Sequence, residues 1–225
     1  MRRMMPGLPI ILSVLVSAAV GAQTPAPPAQ AGVQQGVKVG KVYVSGENPV
    51  IRLLDKEGGT PLVVASFWRI IWSPVGAGHV CYITTGDGKS PDDLRIALVD
   101  NQKLFEFLTN EVLGSYDKTY HDRPFKTVQA TFGSSGDTAS EWQERCTSDQ
   151  YKVELAWRDL YPPFQLDTPA GGSPNPFGIT SLFIPAKSAD VIVNGRKLAG
   201  GVYPQMRGPA QSSSAFLAFS ESWIK

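Results

Sequence analysis

The chain is poor in charge, in histidine and in cysteine, and each shortage excludes something. Charged residues make up only 18% of its 225 residues, with 21 Lys+Arg against 20 Asp+Glu. A balance this close to neutral, without a basic stripe, argues against a nucleic-acid surface, because phosphates need clustered cations. Histidine occurs only at His79 and His121, so any imidazole base must be one of those two. The two cysteines, Cys81 and Cys146, lack Cys-x-x-Cys spacing and the clustered partners of a zinc site. Phosphate-loop and dinucleotide fingerprints are missing as well, and no cofactor is predicted. Past the N-terminal segment no apolar run reaches the ~20 residues of a membrane-spanning helix. The nearest, Leu62 to Val75, contains Arg69.

What is present begins with an export pattern. Arg2 and Arg3 precede an apolar stretch from Leu8 to Val20, and Val20-Gly21-Ala22 supplies the small residues that a signal peptidase reads. Cleavage is expected between Ala22 and Gln23, which makes residues 1–22 a signal peptide and places the mature chain in a secreted or periplasmic space. Losing the two arginines shifts the net charge from +1 to −1. Residues 23–36 are rich in Ala, Pro and Gln and carry no charge. They bury too little apolar surface to offset ordering, and read as a flexible tether. Residues 37–225 then form a single β-rich domain, with no transmembrane segment expected in the mature chain.

Turn formers are abundant, with 22 Gly and 18 Pro, and strand patterns dominate between them. Val37–Val44 is rich in Val. Leu62–Trp72 is apolar on both parities, as a strand lying between two layers must be. His79–Thr84, Leu94–Val99 and Phe125–Phe132 follow. Tyr151–Trp157 alternates cleanly, with Tyr151, Val153, Leu155 and Trp157 on one face. Ile179–Ile184 and Val191–Val193 lead to Asn194-Gly195, a type I′ hairpin signal, and Ala215–Trp223 closes the chain. Two helices are expected. Gln102–Leu113 carries Leu104, Phe105, Leu108 and Val112 on one stripe, with Asp100 or Asn101 as cap. Ala139–Cys146 follows Thr138, which forms a capping-box pattern with Glu141. The fold class is therefore mainly β, with α+β as the alternative. The expected core is an antiparallel sandwich or barrel with one or two helices packed on it. In an oxidising compartment Cys81 and Cys146 are expected to form a disulfide.

Two residues break apolar patterns. Arg69 lies within the Leu62–Trp72 strand, and Glu221 lies on the apolar parity between Phe219 and Trp223. If both point inward from neighbouring strands, they form the polar floor of an aromatic pocket built from Trp68, Trp72, Tyr82, Trp157 and Trp223. A simple structural ion pair is the plainer reading. Alternative active-site candidates are His79, and His121 with the adjacent Asp122. Gly133-Ser134-Ser135-Gly136-Asp137 lacks the glycine spacing of a nucleophile elbow and reads as a turn. No metal site is predicted; Asp87, Asp92 and Asp93 are weak calcium candidates without EF-hand spacing. The leading functional reading is an exported accessory protein that binds an apolar or aromatic small molecule. Its rivals are a hydrolase or isomerase with a site outside known motifs, and a cell-envelope interaction module that pairs with a partner protein through a sheet edge.

Overall fold

The structure, a computed structural model, describes residues 41–86, 90–115, 117–118, 120, 123–171 and 176–225. The strands β1 (Val42–Glu47), β2 (Val50–Leu54), β3 (Pro61–Trp72), β4 (Gly78–Thr85) and β5 (Arg95–Val99) lead to one short helix, α1 (Gln102–Phe107). There follow β6 (Lys126–Gln129), β7 (Thr131–Gly136), β8 (Glu141–Thr147), β9 (Lys152–Leu160) and β10 (Phe164–Thr168). The chain ends with β11 (Gly178–Val193), β12 (Arg196–Lys197), β13 (Pro204–Arg207), β14 (Ala210–Ser213) and β15 (Ala215–Ile224). The large sheet runs β6-β5-β4-β3-β1-β15-β11-β9-β8-β7, with β2 between β15 and β3, and with β10 and β12 added on β11. β13 and β14 make a separate hairpin. Pairing is antiparallel except between β5 and β6, which run parallel, so the topology is mixed.

The sheet folds back on itself. Phe67 and Cys81, on β3 and β4, share one apolar core with Cys146, Leu155 and Trp157, on β8 and β9, although these strands lie far apart along the sheet. One wall is β2 to β5; the other is β8, β9 and the second half of β11. The Trp157 indole donates from Nε1 to the Val50 carbonyl at 3.0 Å, tying the walls while satisfying a polar atom that has no water to turn to. The opposite face of the first wall is covered by α1 and its continuation, a π-helical turn over Leu108–Val112 and a 3₁₀ turn over Leu113–Ser115. Leu104, Leu108 and Val112 pack there against Trp68, Tyr82, Val99 and Trp223. Asn101 caps α1, its Oδ1 accepting from the Leu104 N–H.

Much of the expected pattern is present. β3 is buried on both sides, β9 buries Val153, Leu155 and Trp157, and Asn194 and Gly195 turn between β11 and β12 at φ of 51° and 78°. The disulfide is not formed. Cys81 and Cys146 are both free and fully buried. They stand on facing walls, and packed sheets lie about 10 Å apart, farther than the ~4.4–6.8 Å between Cα atoms that a disulfide spans. The helix expected over Ala139–Cys146 is also corrected: the segment is strand β8. Asp137 accepts the N–H groups of Ala139 and Ser140 with Oδ1, making a tight turn between β7 and β8 instead of a helix start. The segments expected at Ile179–Ile184 and Val191–Val193 form one strand, β11, which continues through Pro185. Its first half pairs with β15 and β10, and its second half with β9.

Candidate functional site

The aromatic pocket anticipated around Arg69 and Glu221 does not assemble, because strand parity sends its members to different places. Trp68, Tyr82 and Trp223 belong to the core beneath α1, Trp157 belongs to the core between the walls, and Trp72 is 45% exposed. Arg69 follows the parity of Phe67, toward the inner core. Glu221 is carried to the other side by an irregularity in β15 at Ser220, where φ is 50° and the register with β11 shifts. Its Oε1 accepts from Trp223 Nε1 at 2.6 Å, and the nearby polar side chains of Asn48 and Ser181 also favour the ionised carboxyl. Burial pushes the Glu221 carboxyl up to about 7, against the pull of those groups and of Arg207.

Arg69 finds different carboxylates. One guanidinium nitrogen binds Glu47 of β1, and the other donates to Glu144 Oε1 of β8 at 2.7 Å. Gly46 lets β1 approach closely enough for this, since a Cβ there would sit 2.0 Å from the Arg69 carbonyl oxygen. Glu144 is fully buried; Trp142 Nε1 donates to the same Oε1 at 2.8 Å, while Oε2 has no hydrogen-bond partner among the described residues. Burial drives the Glu144 carboxyl up to about 7, opposed by Arg69 and Trp142 and reinforced by the charge of Glu47. A protonated Glu144 leaves a neutral Arg69–Glu47 pair. Reasoning from the sequence missed both glutamates. Their signal was present for Glu144, which stands between Trp142 and Cys146 on one strand parity, but the helical expectation for that segment hid it.

His79, directly across from Arg69 in the β3–β4 ladder, is held by Asp100. Asp100 Oδ1 accepts the His79 backbone N–H at 2.6 Å, and Oδ2 accepts from Nδ1 at 2.6 Å. The imidazole stacks on Phe132 at 4.9 Å. This pair resembles the base and orienting acid of a hydrolase in form, yet among the described residues no hydroxyl or thiol hydrogen-bonds the ring, so it lacks a nucleophile. His121, Asp122 and Asp87 lie outside the described residues. Asp93 accepts the Ser90 N–H, and the described residues contain no group of three metal-ligating side chains around Asp92 and Asp93.

A cleft opens at the other end of the walls. Along β3, Leu62 and Arg69 are separated by about 23 Å at strand rise. The cleft has a volume of about 440 Å³. One side is Leu62 and Val63 at the start of β3, Thr85 at the end of β4, and Asp92 and Leu94 just before β5; the other is Val193, Arg196, Leu198 and Ala199, on and after the β11–β12 hairpin. The Asn194-Gly195 turn places Arg196 directly opposite Val193 in that ladder, so both project toward one side. Leu94 and Leu198 are half-buried against the inner core, and Leu62 is 38% exposed. A smaller hollow of about 140 Å³ lies on the opposite face of the first wall, lined by Tyr82, Arg95, Asp117, Tyr120 and Phe125 among others. There the Tyr120 phenol is pushed up to about 12, by burial first and by Asp117 second, which suits a packed ring better than a reactive one.

Of the sequence candidates among the described residues, only Asp92 lines the larger cleft and only Tyr82 the smaller. The described helices include none long and apolar enough to cross a membrane. No family model matches the chain, and no curated protein is similar to it.

Proposed function

We propose that the protein is an exported binding protein whose ligand is a small molecule with an apolar body, held in the cleft between the two walls. One observation carries this reading: a concavity of about 440 Å³ lined mainly by Leu, Val and Ala, with few polar groups. That size lies within the ~300–1,000 Å³ of small-molecule sites, and so does the mix of apolar wall and sparse polar contacts. Signal-peptide cleavage near Ala22 and a tether over residues 23–36 deliver the body to a secreted or periplasmic space. The body itself is a sandwich-like fold, and the core shared by facing halves of one sheet supports that finer description.

An enzymatic role at the His79–Asp100 pair is the second reading, favoured by the geometry of Asp100 on Nδ1. It ranks lower because no hydroxyl or thiol among the described residues hydrogen-bonds the imidazole as a nucleophile would.

The test is ligand capture. Protein isolated without denaturation from its native host and examined by native mass spectrometry should carry a bound small molecule, or take up an apolar fluorescent probe in a saturable way. Leu198→Trp, which fills the cleft, should abolish uptake while leaving the melting temperature within a few degrees. Equal uptake by the filled variant would overturn the assignment.

A further inference from the structure

Asp92 and Arg196 line the same cleft from opposite sides, one on the loop before β5 and the other on β12. Both side chains are exposed, and neither enters an ion pair with any described residue. Their neighbours differ in this respect. Lys197, next to Arg196, binds Asp190 at 2.6 Å, and Asp93, next to Asp92, accepts the Ser90 N–H with Oδ2. Among the described residues, the two charges that face the cleft are thus the ones without an ion-pair partner, with leucine and valine side chains lining the space between them.

Resting on the binding reading above, we infer that the ligand is a dipolar amphiphile: a cationic nitrogen that meets Asp92 and an anionic oxygen group that meets Arg196, joined by an apolar body lying on Leu62, Leu94 and Leu198. A guanidinium takes a carboxylate or phosphate in a forked pair of hydrogen bonds, and a carboxylate takes an ammonium. An ω-amino acid and a short apolar peptide with free ends share this chemistry.

Calorimetric titration of the full mature protein decides it. The probes are ω-amino acids of increasing chain length, with α,ω-diamines, α,ω-diacids and neutral diols of matched length. Leucine-rich di- and tripeptides are added with their ends free or blocked. The ω-amino acid of best length is expected to bind more tightly than the matched diamine or diacid. The margin is roughly threefold to fivefold for each mismatched end, the scale of a solvent-exposed ion pair. Preference for free-ended peptides over the ω-amino acids would assign the source to peptides, and the converse to free amphiphiles; either supports the inference.

Asp92→Lys or Arg196→Glu alone should cost a similar factor. The double swap, Asp92→Lys with Arg196→Glu, should restore binding, because the ligand simply turns around. Neutral diols that bind as tightly as ω-amino acids, with no effect of any charge variant, would overturn the dipolar assignment and leave the cleft reading intact. Failure of every probe, apolar dye included, would overturn both. Circular dichroism of each variant separates a binding effect from misfolding.

Discussion

Two buried carboxyls make the stability of this protein fall as pH rises, the reverse of ordinary acid denaturation. Glu144 and Glu221 are each raised from 4.5 to about 7, burial being the largest cause for both. A carboxyl whose folded pKa exceeds its unfolded value binds its proton more tightly when folded. Its contribution is therefore complete below about pH 4.5, erodes between 4.5 and 7, and is gone above 7. A difference of two to three units corresponds to about 3 kcal/mol per group, a sizeable part of the ~5–15 kcal/mol that holds a domain together. Glu221→Gln removes one proton-linked site and keeps an acceptor for Trp223 Nε1. Urea unfolding at a series of pH values from 5 to 8.5 should show the wild type losing about 3 kcal/mol more than this variant across the range. The variant should consequently be the more stable protein at pH 8. Parallel curves for the two proteins would refute the reasoning, because Glu221 would then titrate alike in the folded and unfolded states.

Other consequences follow from the same contacts. Arg69→Met strands Glu144 without its cation; Glu144 escapes by protonating at pH 5, so the variant should be tolerated there and cost about 3 kcal/mol or more at pH 8, read by the same denaturant titrations. Trp157→Ala, at a fully buried position whose indole bonds across the walls, should destabilise by about 3–5 kcal/mol. Burial pushes the Cys146 thiol well above its ordinary value. Mass spectrometry after alkylation should accordingly find both thiols unmodified in the folded protein and both modified in denaturant; a disulfide in the purified protein would contradict the two free, buried thiols. Gly195→Ala should cost about 1 kcal/mol, measured as a fall in melting temperature, because its φ of 78° suits glycine best.

Which features could be read from sequence follows from how local their causes are. β3 and β9 declare themselves through two-residue periodicity, α1 through its stripe and the Asn101 cap, and the β11–β12 turn through Asn194-Gly195. The segment before Cys146 was misread because Thr138 and Glu141 imitate a helix start, whereas Trp142, Glu144 and Cys146 mark a strand by parity. Ile179–Ile184 and Val191–Val193 read as separate strands but belong to one, β11, with Pro185 at the position where its pairing passes from β15 to β9. Glu221 stood out correctly as a carboxylate on an apolar parity, yet its partners depend on the irregularity at Ser220, which no local pattern announces. The cleft is the least legible feature. It joins the ends of β3, β4 and β11 with short connecting segments, and such convergence is a property of how the sheet folds back, not of any one stretch of chain.

The most direct test is methyl-resolved NMR of the mature protein during titration with the best-length ω-amino acid. The account predicts saturable shifts confined to the methyl groups of Leu62, Val63, Leu94, Val193 and Leu198, lost in Leu198→Trp. Shifts that cluster instead around His79 and Phe132, or that grow linearly without saturation across the whole surface, would contradict it.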